Sequence, residues 1–215
     1  MLSVKVKASS VTSLTDARYF AAREVEWLGF QIGQGSDNYM PVASIKAIKE
    51  WVDGVKIVGE FGFSTPVEIK EAVQSIGLDA IQVGMFTTPD DLIGLNGTPV
   101  IKEVIIDETT SETWLLEHLL DYTSFCDLFL LNFDKSGLTW HQLQRSIPFS
   151  VKVLKSVCKG FNVILSMGLP LASVSEILKN VAPFGLNITG GEEEKMGFKS
   201  FDDLDKFFDC LEMLD

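Results

Sequence analysis

"VKVKASSVTSLTDARYFAAREVEWLGFQI" (residues 4–32) carries the pattern that decides the fold. A short alternating run, Val4 to Val6, is followed by a helix-like segment from Leu14 to Arg23, and then by a second apolar run from Trp27 to Ile32. Two strands separated by a helix must run parallel, because the crossover returns the chain to the same end of the sheet. The unit then repeats along the chain. Further strands are predicted at Val55 to Gly59, Ala80 to Val83, Val100 to Ile106, Leu128 to Asn132, Val163 to Leu165 and Leu186 to Ile188, eight in all. Helices are predicted at Val42 to Trp51, Pro66 to Ile76, Glu112 to Leu120, Val151 to Lys159, Ala172 to Asn180 and Phe201 to Leu214. Thr65-Pro66 and Ser200-Phe201 are good helix starts, since a hydroxyl caps the first turn and Pro at the first position gives up no useful N–H. Eight parallel units in 215 residues predict an α/β fold, a single-domain (β/α)8 TIM barrel over residues 1–215, nearly free of insertions. A doubly wound open sheet is the alternative, but the first strand is not followed by the G-x-G-x-x-G turn that would support it.

Composition narrows the classes of partner. Thirty acidic against eighteen basic residues give a formal charge of -12, which repels phosphate backbones and anionic leaflets, so neither nucleic acid nor membrane is an expected partner. Cys126, Cys158 and Cys210 are odd in number and widely spaced, with no CxxC and no nearby His pair. Neither a disulfide framework nor a metal site follows from that spacing. With no leader-like N-terminus and no long apolar span, the reading is a cytoplasmic protein with reduced thiols and no cofactor.

On a barrel, chemistry sits where the strands end. That rule directs attention to Lys7 and Ala8, residues 31–38, Glu60, Gly84, Glu103, Asn132, residues 166–169 and residues 189–199. "ILSMGLP" ends the seventh strand with Gly168, and "NITGGEEEKMGFK" follows the eighth with Gly190, Gly191 and Gly197. Backbone N–H groups there could converge on an anion, in the position where barrels usually hold phosphate. Ordinary turn chemistry explains the same glycines.

Taken together these segments resemble the phosphoribosylanthranilate isomerases of tryptophan biosynthesis. "VKVKASSVTSLTDA" is similar to that family's opening "VKICGITNLEDA" with two residues added. "WLGFQI", "VKIVGEF", "LDAIQVG" and "VIKEV" resemble its second to fifth strands, "ILSMGLPLASV" its "LSGGLNPENV", and "PFGLNITGGEEEKMGFKSFDDLDKFF" its last phosphate loop and closing helix. The resemblance implies an isomerase fold and an Amadori rearrangement, in which a phosphoribosyl amine opens its ring and then loses a proton from carbon. That reaction needs a general acid and a general base.

The resemblance also exposes departures. The family's base, a cysteine ending strand one, falls on Lys7, with Ala8 beside it. Its acid, an aspartate ending strand six, falls on Asn132, and an amide has no ionisation near neutral pH with which to donate a proton. The arginine that holds the anthranilate carboxylate falls on Asn38, the histidine of "QLHG" on Gly84, and the first glycine of the strand-seven pair on Met167. Lys5, Gln82, Lys102, Gly168, Gly190 and Gly191 are the substrate- or phosphate-binding positions that the resemblance implies, with Gly197 and Lys199 as further matches. Two functions stay open: an isomerase of this type, its ancestral reaction put in doubt by the substituted acid and base, or a non-catalytic barrel that binds a small phosphorylated or anionic metabolite or a protein partner.

Period-2 geometry puts Lys5 and Lys7 on one face, and both are expected to look into the barrel mouth with Lys102. Three roles are open for them. Their amines pair with carboxylates such as Glu60 or Glu103, or they form an anion-binding cluster, or Lys7 is a catalytic amine. Asp134 and His141 are possible substitutes for the lost acid, whereas His118 in "LLEHLL" is read as a helix-packing residue.

Overall fold

Helix α3 (Pro66–Ile76) shows how locally the elements are fixed. The Thr65 side chain accepts from the Glu68 N–H, the Glu68 carboxylate accepts from the Thr65 N–H at 2.7 Å, Pro66 fills the first turn, and Gly77 closes the helix in the left-handed region with φ 71°. The computed structural model describes residues 2–33, 35, 36, 38–95, 97–189, 193–195, 198, 199 and 201–212. Strands β1 (Lys5–Ser9), β2 (Trp27–Gln31), β3 (Lys56–Phe61), β4 (Ala80–Val83), β5 (Val100–Ile105), β6 (Leu128–Asn132), β7 (Val163–Ser166) and β8 (Gly185–Thr189) are all parallel. They pair in chain order and close into a barrel through β1 and β8. The barrel expected from the sequence is therefore the one observed.

Around it lie α1 (Leu14–Ala22), α2 (Val42–Lys49), α3, α4 (Pro89–Ile93), α5 (Glu112–Tyr122), α6 (Trp140–Gln144), α7 (Val151–Gly160), α8 (Leu171–Val181) and α9 (Asp202–Glu212). A small antiparallel hairpin, β9 (Glu193–Lys195) and β10 (Phe198–Lys199), follows β8. Helix α9 clasps α1: Tyr19 stacks on Phe201 at 4.0 Å and donates to Asp205 at 2.7 Å, and Arg23 pairs with Asp205 and Asp209. No described helix is long and apolar enough to cross a membrane.

Two apolar layers result from the strand alternation. Outward residues such as Val6, Leu28, Ile57, Ile81, Val104 and Leu131 pack against the helices. Inward residues Trp27, Val58, Ala80, Ile101, Leu128, Leu130 and Ile164, backed by Phe184, fill the lower barrel. Above that plug the inward positions change character: Ser9, Gln31, Glu60, Gln82, Glu103, Asn132, Ser166 and Asn187 close the strand ends with a polar ring.

Candidate functional site at the strand ends

The polar ring surrounds a cavity of about 320 Å3, open at the C-terminal ends of the strands. Just beneath it Lys7 is fully buried, because β1 continues past Val6 to Ser9 and carries the side chain to mid-barrel. Its ammonium pairs with Glu60, itself 1% exposed, and also donates to Ser9 Oγ and to Asn187 Oδ1 at 3.4 Å. Three ammonium protons thus meet three acceptors. The second Glu60 oxygen accepts from the Ser10 N–H at 3.1 Å and from Gln31 Nε2 at 2.9 Å. Gly29 makes room for the pair: a Cβ on it would lie 2.9 Å from Lys7 Nζ and closer still to the Glu60 carboxylate.

A second pair forms the opposite wall. Asn132 Nδ2 donates to Glu103 Oε1 at 2.7 Å, Lys135 Nζ contacts Glu103 Oε2 at 2.7 Å, and the Lys135 N–H donates to Asn132 Oδ1 at 3.0 Å. From Lys7 a chain of contacts continues to the strand-seven loop. Ser9 donates to Asn187 at 2.6 Å, Asn187 donates to Ser166 at 3.1 Å, and Ser166 donates to Asp134 Oδ2 at 2.8 Å. The other Asp134 oxygen accepts the Gly168 N–H at 2.7 Å. Among the described residues, two ammonium groups therefore face three carboxylates in and under the mouth, and each ammonium is already paired. Gln82 Oε1 is a buried acceptor with no hydrogen-bond partner among the described residues.

Several residues predicted from the sequence lie elsewhere. Lys5 shares the inward face with Lys7, but at the opposite end of the barrel: Nζ lies 3.6 Å from Glu26 and over the Phe184 ring at 4.7 Å, because the residue opens β1. Lys102 is on the outer side of β5, since Ile101 and Glu103 take the inward positions. There it donates to the carbonyls of Gly84, Met85 and Thr87 at 2.8 to 2.9 Å and sits over the Tyr122 ring at 4.5 Å. Burial lowers its pKa to about 8, so the side chain still carries its charge at pH 7. The expected trio of lysines at the mouth is thus one lysine beneath it, one at the floor and one behind the wall.

Asn38 is exposed in the β2–α2 loop and does not line the cavity. Gln82 and Asn132 do line it, as does Asp134, while His141 is exposed on α6. His118 stacks on Trp114 at 4.8 Å in helix packing. Gly190, Gly191 and Gly197 lie outside the described residues. The described residues contain no cluster suited to a metal ion. Ser9, Lys135 and Asn187 were missed in the sequence; the available signal was parity, since each of Ser9 and Asn187 is polar at an inward position, and Asn187 sits opposite Lys7 in the β1–β8 register.

The model of the N-(5'-phosphoribosyl)anthranilate (PRA) isomerase family matches residues 6–210. The chain belongs to the phosphoribosylanthranilate isomerase family. Among its relatives, N-(5'-phosphoribosyl)anthranilate isomerase of Nostoc punctiforme is 27% identical over 219 residues, covering 97% of this chain and 98% of the relative. That of Rubrobacter xylanophilus is 27% identical over 199 residues, covering 91% and 93%. The crystal structure of phosphoribosyl anthranilate isomerase from Thermus thermophilus superposes with a TM-score of 0.77 at 26% identity, covering 99% of this chain and 100% of that one. The family's barrel is thus matched over nearly its whole length.

Proposed function

We propose that this member of the phosphoribosylanthranilate isomerase family binds a small polar metabolite in the strand-end cavity and does not carry the family's aldose–ketose rearrangement through the two positions that the resemblance assigns to base and acid. The observation behind this reading is the state of Lys7 and Asn132. Lys7 is buried with all three protons engaged, so it holds no lone pair to take a proton from carbon or to attack a carbonyl. Asn132 is an amide whose N–H binds Glu103 and whose oxygen accepts from Lys135, a positioning link in the wall rather than a proton donor. The catalytic-amine role for Lys7 finds no support in that geometry. The relatives are N-(5'-phosphoribosyl)anthranilate isomerases by name, and the lineage is the same; what differs here is the chemistry available at the two positions.

We also propose a cytoplasmic setting, supported by the thiols of Cys126, Cys158 and Cys210, all free and partly buried. The proposal is tested by complementation of a tryptophan auxotroph that lacks the isomerase. No rescue by the wild-type chain is expected at an expression level where the Rubrobacter xylanophilus enzyme rescues. Growth at the rate given by that enzyme would overturn the reading and assign the acid to Asp134, the remaining carboxylate of the strand-six end.

A further inference from the structure

The strand-seven loop of a (β/α)8 barrel is half of the usual phosphate position, and its free N–H groups are what an anion seeks. In this chain the Gly168 N–H is taken. Asp134, first residue of the short turn after β6, reaches across to β7 and places one oxygen 2.7 Å from Gly168 N and the other 2.8 Å from Ser166 Oγ. An anion arriving at that loop meets a carboxylate already seated there, and two like charges a few ångströms apart in a site partly shielded from water repel strongly.

The surroundings agree. Behind Asp134 a second cavity of about 410 Å3 opens between the ends of β7 and β8 and helix α9, walled by Met167, Leu169, Leu171, Leu204 and Phe207. Among the described residues its charged lining consists of Asp134 and Asp203, both acidic. On the other side, in the mouth, Gln82 is 8% exposed and its Oε1 has no partner among the described residues, an acceptor that asks for a donor from a ligand. Hydroxyl groups meet that demand; a phosphate dianion offers none.

Resting on the reading of the mouth as a ligand site, we propose that Asp134 is a specificity-determining residue: it fills the anion position of the strand-seven loop with the protein's own carboxylate, so the mouth selects an uncharged polyhydroxylated ligand over its phosphate ester. Ser166 holds the carboxylate in place, and the Asn187–Ser9–Lys7 chain ties that arrangement to the buried ion pair.

The test uses ribose and ribose 5-phosphate, which differ by the phosphate alone, together with inorganic phosphate, on the full-length wild type and on Asp134→Asn, Asp134→Ser and Ser166→Ala. Inorganic phosphate is expected to leave the Gly168 amide resonance of the wild type unmoved and to shift it in both Asp134 variants, with a smaller shift in Ser166→Ala, which retains the charge. The ratio of ribose 5-phosphate affinity to ribose affinity is expected to rise at least tenfold on removal of the Asp134 charge. A wild-type Gly168 amide that titrates with phosphate as readily as the variants overturns the proposal, and so does a phosphate-indifferent amide in every variant, or an unchanged affinity ratio. Failure of both sugars to bind any form, with phosphate still shifting Gly168 in the Asp134 variants alone, overturns the ligand-site reading but leaves the role of Asp134 standing. Wild-type arms remain decisive should a variant fold poorly, because titration of the native amide needs no substitution.

Discussion

Glu60→Gln is the perturbation that most directly probes the buried pair. Lys7 is 0% and Glu60 1% exposed, so neither charge can recover water when its partner goes. After the substitution Lys7 faces only neutral acceptors, Ser9, Asn187 and the oxygen of the new amide, while the Ser10 N–H and the Gln31 amide lose an ionic acceptor. Breaking a buried pair from one side costs about 3–5 kcal/mol, because an uncompensated charge remains. For a chain of this size each kcal/mol corresponds to about 2–4 °C, so Tm is expected to fall by roughly 6 to 20 °C. Lys7→Met should cost a similar amount. The double variant Lys7→Met/Glu60→Leu, with both charges gone, should recover to within about 1–2 kcal/mol of the wild type, giving a coupling energy of several kcal/mol. Urea denaturation followed by far-UV circular dichroism at pH 7 measures all four corners of the cycle. A Glu60→Gln loss below about 1 kcal/mol, or a double variant costing the sum of the singles, would refute the pairing and reopen Lys7 as a free amine.

Three further outcomes follow from the same contacts. Gly29→Ala places a Cβ 2.9 Å from Lys7 Nζ and should cost about 1–3 kcal/mol in urea melts, with the penalty shrinking in the Lys7→Met/Glu60→Leu background. Lys102→Met removes the charged donor from the carbonyls of Gly84, Met85 and Thr87; Gly84 keeps the Thr87 N–H and Thr87 keeps the Tyr122 hydroxyl, so a loss of about 1–3 kcal/mol, with faster amide exchange over residues 84–88 by hydrogen–deuterium exchange, is expected. Burial raises the Cys158 thiol to about 12, so its contribution is complete below its usual value and is lost as pH climbs toward 12. Between pH 9 and 10 that one thiol should withdraw about 1 kcal/mol of stability, and Cys158→Ala should flatten the measured fall by that amount.

The barrel was legible because its strands, β1 excepted, carry apolar residues on both faces through the lower half and its helices begin at capping residues such as Thr65 and Ser111. What the pattern concealed were one-turn elements. Helices α4 and α6 are five residues each, too short for helical periodicity, and are marked only by the capping boxes Thr88–Asp91 and Thr139–Gln142. At the site, parity along a strand was readable and depth was not. Lys5 and Lys7 do share the inward face, yet one step of two residues along β1 separates the barrel's floor, at Lys5, from the level just beneath the polar ring, at Lys7, and the strand stagger that sets this depth leaves no local signal in β1. Lys102 was a parity error that strand five itself could correct, because Glu103 is the residue that lines the cavity. The link from Asp134 to Gly168 joins positions 34 residues apart through loop geometry, which no spacing rule anticipates.

Steady-state conversion of phosphoribosylanthranilate by the purified wild-type protein, followed through the fluorescence of the anthranilate group, tests the central claim most directly. The account predicts a rate indistinguishable from the buffer blank, because Lys7 has no lone pair with which to take a proton and Asn132 has no ionisable proton to give. Turnover at the rate of a family member carrying both the cysteine and the aspartate would contradict it.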